Sequence, residues 1–227
     1  MCGFVTEYSL EKDGLLPRAQ FMELLAKSHE RGPDTVGYLM EDGTLQFGFN
    51  RLAILDLSEA GQQPMKSFDG RYTMVFNGEI YNHLELRKQL DFKNFKGHSD
   101  SETITACLAE WGIHDTINRL NGMFAIVIYD ALRKELSMAR DFAGIKPLFY
   151  GWDGRVLVCA SQYDQITGHP NYRNMPVQPE VLKLYLEQHH MPAPFGLYEQ
   201  THQVLPGELI TLQASGNKLH KRYWELP

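Results

Sequence analysis

The chain has 227 residues and a formal net charge of −6, a length sufficient for one large domain with a hydrophobic core. The acidic balance argues against a nucleic-acid partner, which needs clustered Lys and Arg. No apolar run is long enough to cross a bilayer, and charged residues between positions 7 and 13 interrupt any signal-peptide core. Three widely spaced cysteines without a CxxC pair argue against a disulfide framework and a cysteine-based zinc site. We therefore expect a soluble, cytoplasmic protein with no membrane, nucleic-acid or metal partner.

The first half of the chain mixes strand and helix patterns. Strands are predicted at residues 2–8, 36–40, 45–50, 52–57 and 71–76, and helices at residues 17–27, 84–90 and 101–111. Pro17 suits the start of the first helix, and Asp100 or Ser101 suits the N-cap of the third. The pair Asn77-Gly78 is typical of a tight turn at the end of the fifth strand.

The second half is richer in strands. They are predicted at residues 123–130, 135–140, 148–151, 156–160 and 208–212, with helices at 161–166 and 180–189 and a turn at 215–217. Residues 125–128 are continuously apolar, which indicates a strand buried on both faces. Hairpin-like runs of strands predict antiparallel sheets, and the two groups of helices predict a helical layer on each outer face. The chain is interpreted as one α+β domain over residues 1–227.

Cys2 is a candidate nucleophile because removal of Met1 would leave it as the first residue. Its α-amino group, with a pKa of about 7.7–8.0, would then stand beside a thiol with a pKa near 8.5. Amine and thiol on one residue can produce a thiolate without a histidine. The alternative is an ordinary small residue at the start of a strand, which Met-Cys alone favours.

Three further positions have both a functional and a structural interpretation. Asn77-Gly78 can supply two donors to an oxyanion, or simply form a turn. Arg51 can bind a substrate carboxylate with two hydrogen bonds, or make a surface ion pair. Asp100 can hold a substrate ammonium, or cap a helix. Each position taken alone favours the structural interpretation.

The set of motifs is more specific than any one of them. MCGF at 1–4, RGPD at 31–34, RLAI at 51–54, NGEIYN at 77–82, SD at 99–100, NGMFA at 121–125 and RDFAGIKPL at 140–148 occur in this order. Together they resemble the class II glutamine amidotransferase domain, most closely the glutaminase domain of asparagine synthetases (glutamine-hydrolysing). The resemblance covers nearly the whole chain. It implies an N-terminal nucleophile hydrolase fold, a four-layer α/β/β/α sandwich of two mostly antiparallel sheets.

The resemblance also implies a role for each matching residue. Cys2 would attack the side-chain amide of L-glutamine and form a thioester, with its own α-amino group as the base. Asn77 and Gly78 would stabilise the oxyanion, and Arg51 would bind the α-carboxylate of the substrate. The remaining predicted substrate-binding residues are Asp100 and Glu79 for the α-ammonium group and Leu52, Ile54 and Leu55 along the glutamine site.

No cofactor is expected for glutaminase chemistry. The resemblance assigns ATP and Mg to a synthetase domain absent here, since the chain has no SGGxDS block, and residues 222–227 resemble the junction to that domain. Ammonia would pass to that domain in cis or to a partner in trans, with aspartate as the expected acceptor and another acceptor as an alternative. A non-catalytic module that binds amino acids or docks a synthetase is the other alternative. A homodimer is also compatible with these features.

Overall fold

The computed structural model describes residues 1–225, whose strands form two six-stranded sheets. The first sheet has the order β10 (Thr201–Gln203), β8 (Phe149–Trp152), β9 (Val156–Ala160), β1 (Gly3–Ser9), β3 (Leu45–Arg51) and β2 (Thr35–Glu41). The second has the order β12 (Lys218–Arg222), β11 (Glu208–Leu212), β7 (Glu135–Arg140), β6 (Gly122–Asp130), β5 (Tyr72–Ile80) and β4 (Met65–Lys66). All neighbouring strands pair antiparallel, as the hairpin-like runs predict.

Helices cover the outer face of each sheet. The helices are α1 (Arg18–Ala26), α2 (His83–Gln89), α3 (Asp100–Arg119), α4 (Tyr163–Thr167) and α5 (Pro179–Gln188), with short 3-10 turns at His29–Arg31 and Glu59–Gly61. One apolar cluster lies between the sheets, a second lies between the second sheet and α2 and α3, and a third lies between the first sheet and α1 and α4. The predicted four-layer α/β/β/α architecture is therefore confirmed.

Side-chain alternation on the central strands explains the layers. On β6, Ala125 and Val127 point into the core between the sheets, whereas Ile126 and Ile128 point toward α3. Residues 125–128 are thus buried on both faces, as their apolar run predicts. Each large apolar side chain buried in this way stabilises the fold by about 1.5–3 kcal/mol.

The predicted strand at residues 52–57 is wrong. The segment is irregular and leaves Ile54, Leu55 and Leu57 exposed. The Arg51 guanidinium donates to the carbonyl oxygens of Asp56 and Ser58, which curls the chain back after β3 instead of continuing the strand. The buried Arg51 side chain bends the backbone by binding two of its carbonyl oxygens. As a result, the apolar run that follows β3 is exposed.

The turn predicted at Asn77-Gly78 is also wrong. Strand β5 continues to Ile80, and its pairing with β6 places Asn77 opposite Ala125 and Gly78 opposite Phe124. A Cβ atom on residue 78 would lie 2.2 Å from the carbonyl oxygen of Met123, so close packing against β6 requires the glycine. The Asn-Gly pair thus lies inside a strand, where the glycine allows two strands to pack closely.

Helix α3 differs from the prediction at both ends. Its N-cap is Ser99, whose hydroxyl accepts from the Glu102 N–H at 3.2 Å, so neither Asp100 nor Ser101 is the cap. The helix continues beyond residue 111 after a break at Gly112, where φ is 77°, a conformation that suits glycine.

Strands β4, β10 and β12 were not predicted, since they are short or consist mainly of polar residues. Of the expected junction at residues 222–227, the last two residues lie outside the described part of the chain. Within residues 1–225, no helix combines the length and the apolar content that a membrane span needs.

Candidate active site

All nine residues predicted for the site line one open cleft. Its cavity volume is about 150 Å³, below the roughly 300–1,000 Å³ of pockets for drug-sized ligands, so it suits a small metabolite. The nine residues are Cys2, Arg51, Leu52, Ile54, Leu55, Asn77, Gly78, Glu79 and Asp100. The cleft lies where the ends of β1 and β3 in one sheet meet the end of β5 in the other.

Cys2 is held just before β1. Its sulfur accepts a hydrogen bond from the Leu52 N–H at 3.4 Å, and the thiol donates to the Leu52 carbonyl oxygen at 3.6 Å. The Arg31 Nε donates to the Cys2 carbonyl oxygen at 3.1 Å. Burial and the charge of Asp100 raise the pKa of the Cys2 thiol. The Leu52 N–H, the amine of Met1 and Arg51 lower it. The thiol is fixed in place, but burial opposes its ionisation.

Asn77 places an amide in the cleft with an unused donor. Val75, Asn77 and Glu79 share one face of β5, and Val75 belongs to the core between the sheets, so Asn77 points toward the sheet that carries Cys2. Asn77 is 1% exposed, and its Nδ2 has no hydrogen-bond partner among residues 1–225. A buried donor without a partner is costly, which makes this amide a candidate ligand-binding group.

The N–H of Gly78 lies on the edge of β5 that faces away from β6. The N–H groups of Phe76, Gly78 and Ile80 point to the same edge of the strand. Side chains from outside the sheet bind two of them, because Gln63 Oε1 accepts from Phe76 at 2.6 Å and Asp100 Oδ2 accepts from Ile80 at 2.9 Å. The Gly78 N–H lies between these two, beside the Asn77 amide. Two adjacent donors in a small cleft can stabilise a developing oxyanion.

Arg51 organises the segment that forms one wall of the cleft. The buried guanidinium donates to the Ser58 carbonyl oxygen at 2.8 Å and also to that of Asp56. The Asp56 carboxylate accepts from the Ser58 hydroxyl at 2.6 Å, the Ser58 N–H at 2.8 Å and the His98 N–H at 2.8 Å. These bonds, the Ser58 hydroxyl above all, lower the pKa of Asp56 to about 2. Since a guanidinium has five N–H donors, Arg51 keeps others for a ligand.

Two carboxylates face the same cleft. Asp100 is buried and accepts from the N–H groups of Ile80 and Ser101 at 2.9 and 2.8 Å, and burial raises its pKa. Glu79 is partly buried, and its carboxylate makes no hydrogen bond or ion pair with another described residue. With Arg51 nearby, the cleft presents a cation and two acidic groups, which complement an amino acid that carries both charges.

Several residues of the site were missed from the sequence. Gln63 donates through Nε2 to the Phe76 carbonyl oxygen at 3.1 Å and to the Ser101 hydroxyl at 3.2 Å, and nothing in its local sequence signals this role. Lys146 lines the cleft and is 5% exposed. The RDFAGIKPL block contains Lys146, so that motif was the available signal.

Asp141 supports the loop that carries Lys146. Its buried carboxylate accepts four backbone N–H groups, from Phe124 at 3.2 Å, Ala143 at 3.1 Å, Ile145 at 2.9 Å and Lys146 at 2.9 Å. One buried acidic side chain thus binds this loop through its backbone N–H groups. Within the part of the chain that the structure describes, no group of three or more His, Cys, Asp or Glu is placed to hold a metal ion.

Comparisons with known proteins cover the whole domain. A family model described as a glutamine amidotransferase domain matches residues 1–224. Two Bacillus subtilis proteins, named asparagine synthetase (glutamine-hydrolyzing) 1 and 3, are 34% and 32% identical over 99% and 100% of this chain. The chain spans only 35% and 37% of their own lengths.

Solved structures show the same fold at low sequence identity. The glutamine phosphoribosylpyrophosphate amidotransferase from B. subtilis, complexed with ADP and GMP, is 18% identical with a TM-score of 0.68. A structure described as the allosteric regulatory enzyme of purine biosynthesis is 19% identical with a TM-score of 0.69. Each match covers 98% of this chain and 49% of the other. From the family match over residues 1–224, we conclude that the chain belongs to the glutamine amidotransferase domain family.

Proposed function

We propose that this chain hydrolyses the side-chain amide of L-glutamine with Cys2 as the nucleophile. The observation that carries the proposal is that the Cys2 thiol and the unpartnered amide of buried Asn77 share one small cleft. Once Met1 is removed, the free α-amino group of Cys2 accepts the thiol proton. The sulfur then adds to the amide carbon of the substrate, and negative charge develops on the amide oxygen.

Collapse of this tetrahedral adduct releases ammonia. The C–N bond breaks, the leaving nitrogen takes a proton from the α-amino group of Cys2, and a γ-glutamyl thioester remains. Water then adds to the thioester carbonyl, glutamate leaves, and the thiol is restored. The Asn77 amide and the Gly78 N–H stabilise the oxyanion of both steps, and one such donor contributes about 2.7–4 kcal/mol.

The charged groups of the cleft orient the substrate. Arg51 binds the α-carboxylate with the N–H groups that the loop carbonyls leave free, and Asp100 and Glu79 bind the α-ammonium. Leu52, Ile54 and Leu55 form the wall of the cleft beside the substrate. Because both charged groups of glutamine are on its α-carbon and meet opposite charges of the cleft, the side-chain amide at the other end of the substrate is directed to Cys2.

The ammonia serves asparagine synthesis from aspartate in this proposal. Support comes from the curated relatives named asparagine synthetase, of which the chain spans about a third. The ATP-dependent step, with its Mg, belongs to a synthetase domain in cis or a partner in trans, in the cytoplasm. A different ammonia acceptor would leave the glutaminase step unchanged.

The test is glutamate release by the purified chain after removal of Met1, verified by intact mass. We expect wild-type protein to convert glutamine to glutamate and ammonia, and Cys2→Ala to lose this activity. Cys107→Ala is the matched control, because it removes a thiol buried away from the cleft. Equal glutamate release by wild type and Cys2→Ala would contradict the proposal. Glutamine binding without turnover by folded wild-type protein would instead support the non-catalytic module.

A further inference from the structure

The loop after β7 is rigidly built and directs Lys146 into the cleft. The Arg140 guanidinium donates to the carbonyl oxygens of Gly144, Lys146 and Val204 at 2.7, 2.8 and 2.9 Å. The Asp141 carboxylate accepts from the backbone N–H groups of Ala143, Ile145 and Lys146 in the same loop. Arg140 and Asp141 thus both hold this short loop, and Lys146 of the loop lines the cleft.

Within residues 1–225, the ammonium group of Lys146 has no hydrogen-bond or ion-pair partner. None of the ion pairs in the described chain includes Lys146, and its side chain makes no hydrogen bond there. The Lys146 side chain is only 5% exposed, yet its Nζ is not among the fully buried nitrogen atoms that lack a partner, so the ammonium reaches the open cleft. Such a group is commonly retained for what its charge does at a functional site.

The charged groups that face Lys146 come from four elements of the fold. Burial lowers the pKa of its ammonium, the charge of Arg31 lowers it further, and Asp141, Cys2 and Glu79 raise it. Cys2 precedes β1, Glu79 lies on β5, Arg31 ends the 3-10 turn before β2, and Asp141 follows β7. Of the three acidic groups, Asp141 is saturated by backbone donors, which leaves Cys2 and Glu79 facing the cleft.

Arg31 is a second cation beside the nucleophile. Its Nε donates to the Cys2 carbonyl oxygen at 3.1 Å, and one of its terminal nitrogens is buried without a partner in residues 1–225. The other charged groups around Cys2 are Arg51, Asp100 and the N-terminal amine. Since Arg51 already holds two loop carbonyls, Lys146 is the cation with the least competing engagement.

We infer that Lys146 is a positioning residue whose positive charge stabilises the Cys2 thiolate, with Arg31 assisting from the backbone side of the nucleophile. A nearby cation favours the ionised form of a thiol and so increases the fraction of reactive sulfur at neutral pH. This stabilisation counteracts the effect of burial, which raises the pKa of the Cys2 thiol. The inference rests on the proposed role of Cys2 as the nucleophile.

The test measures the alkylation rate of Cys2 by iodoacetamide as a function of pH, on chain lacking Met1. Cys107 and Cys159 are buried, so the native protein reports Cys2, and Cys2→Ala gives the background. We expect Lys146→Met to react about three- to tenfold more slowly at pH 7, the change that half to one pKa unit produces. The rates should converge at alkaline pH, where the thiol is ionised in both proteins.

Two controls separate charge from structure. Lys146→Arg keeps the charge and should restore the wild-type profile, and Lys183→Met removes an exposed lysine of α5 and should change nothing. A Lys146→Met profile that superimposes on wild type overturns the inference. If Lys146→Met does not fold by circular dichroism, Lys146→Gln provides the same comparison.

The two proposals fail in different ways. Wild-type chain that releases no glutamate contradicts the proposed function, whereas the alkylation profile still decides whether Lys146 acts on Cys2. Conversely, an active enzyme with an unshifted profile in Lys146→Met rejects the role of Lys146 alone. In the active enzyme, we expect the loss of kcat/KM in Lys146→Met to be about three- to tenfold at pH 7 and to vanish at alkaline pH.

Discussion

The backbone N–H of Leu52 donates a hydrogen bond to the sulfur of Cys2 across 3.4 Å, although the two residues are 50 positions apart. They meet because β1 and β3 pair antiparallel with Gly3 opposite Asn50, so the residue before β1 lies beside the residue after β3. Cys2 is therefore held by strand register, next to the segment that forms the wall of the cleft.

A chain that retains Met1 should be nearly inactive. Met1 converts the α-amino group of Cys2 into an amide, which cannot act as a base, and a general base contributes about 10²- to 10⁴-fold. We expect glutaminase activity at least about 100-fold lower in protein with Met1 than in protein without it. Preparations of defined intact mass provide the comparison, with glutamate release as the measurement. Equal kcat in the two forms would show that the amine is not the base.

Asn77→Ala should lower kcat by about 10²- to 10³-fold and leave KM within about threefold. The amide is the unpartnered donor of the cleft, so its loss weakens the oxyanion rather than the bound substrate. Asn82→Ala is the matched control from the same motif, since Asn82 bonds instead to the backbone of Arg119 and Asn121. Steady-state kinetics distinguish the two variants. An unchanged kcat in Asn77→Ala would rule out this oxyanion site.

Asp141→Ala should destabilise the fold by about 3–5 kcal/mol. Its carboxylate accepts four backbone N–H groups in a fully buried position, and the substitution leaves those donors without a partner. Urea unfolding measures the change in free energy. Asp115→Ala removes an exposed carboxylate and should stay within about 0.5 kcal/mol of wild type. A loss below about 1 kcal/mol in Asp141→Ala would mean that the loop is held by other contacts.

Asp56 should contribute stability that depends on pH. Its pKa is about 2 in the folded chain, below the value near 3.9 of an unfolded chain, chiefly because the Ser58 hydroxyl binds the carboxylate. The folded state therefore favours the charged form, and the contribution is complete above about pH 4 and lost as the pH falls to about 2.

Comparison with Asp56→Asn isolates this contribution. At pH 7 we expect the free energy of unfolding of the variant to be about 1–3 kcal/mol lower than that of wild type, since charge-assisted hydrogen bonds are lost. Thermal or urea unfolding at pH 7, 4 and 2 should show this difference shrinking toward acid. A difference that stays constant over this range would show that Asp56 titrates normally in the folded chain.

Much of the fold could be predicted because burial leaves a local pattern. The apolar run at residues 125–128 marks a strand covered on both sides, and the structure confirms it. Residues 52–57 carry a similar pattern, yet the segment is irregular and its apolar side chains are exposed. The reason is that the Arg51 side chain donates hydrogen bonds to the carbonyl oxygens of Asp56 and Ser58. Apolar composition alone does not distinguish a core strand from the wall of a cleft.

The candidate site shows the same division. Motif resemblance predicted the nine residues that the cleft brings together, and their individual roles stay predictions. Gln63 could not be found from the sequence, because its function is to bind the edge of β5 from a distant loop. Lys146 lay within a recognised motif, but its place in the wall of the cleft appears only when the cleft is assembled.

By itself, the sequence determined which chemical groups are available: a cysteine at position 2, an Asn-Gly pair, an arginine and two carboxylates, set among strands of alternating pattern. Only the tertiary structure decided that Asn77-Gly78 lies inside a strand, that its donors face the cleft and that Lys146 lines the same cleft as Cys2. The physical reason is that propensity and alternation act between neighbours in the chain. Contacts across the cleft depend instead on the register of paired strands and on which buried groups remain without partners.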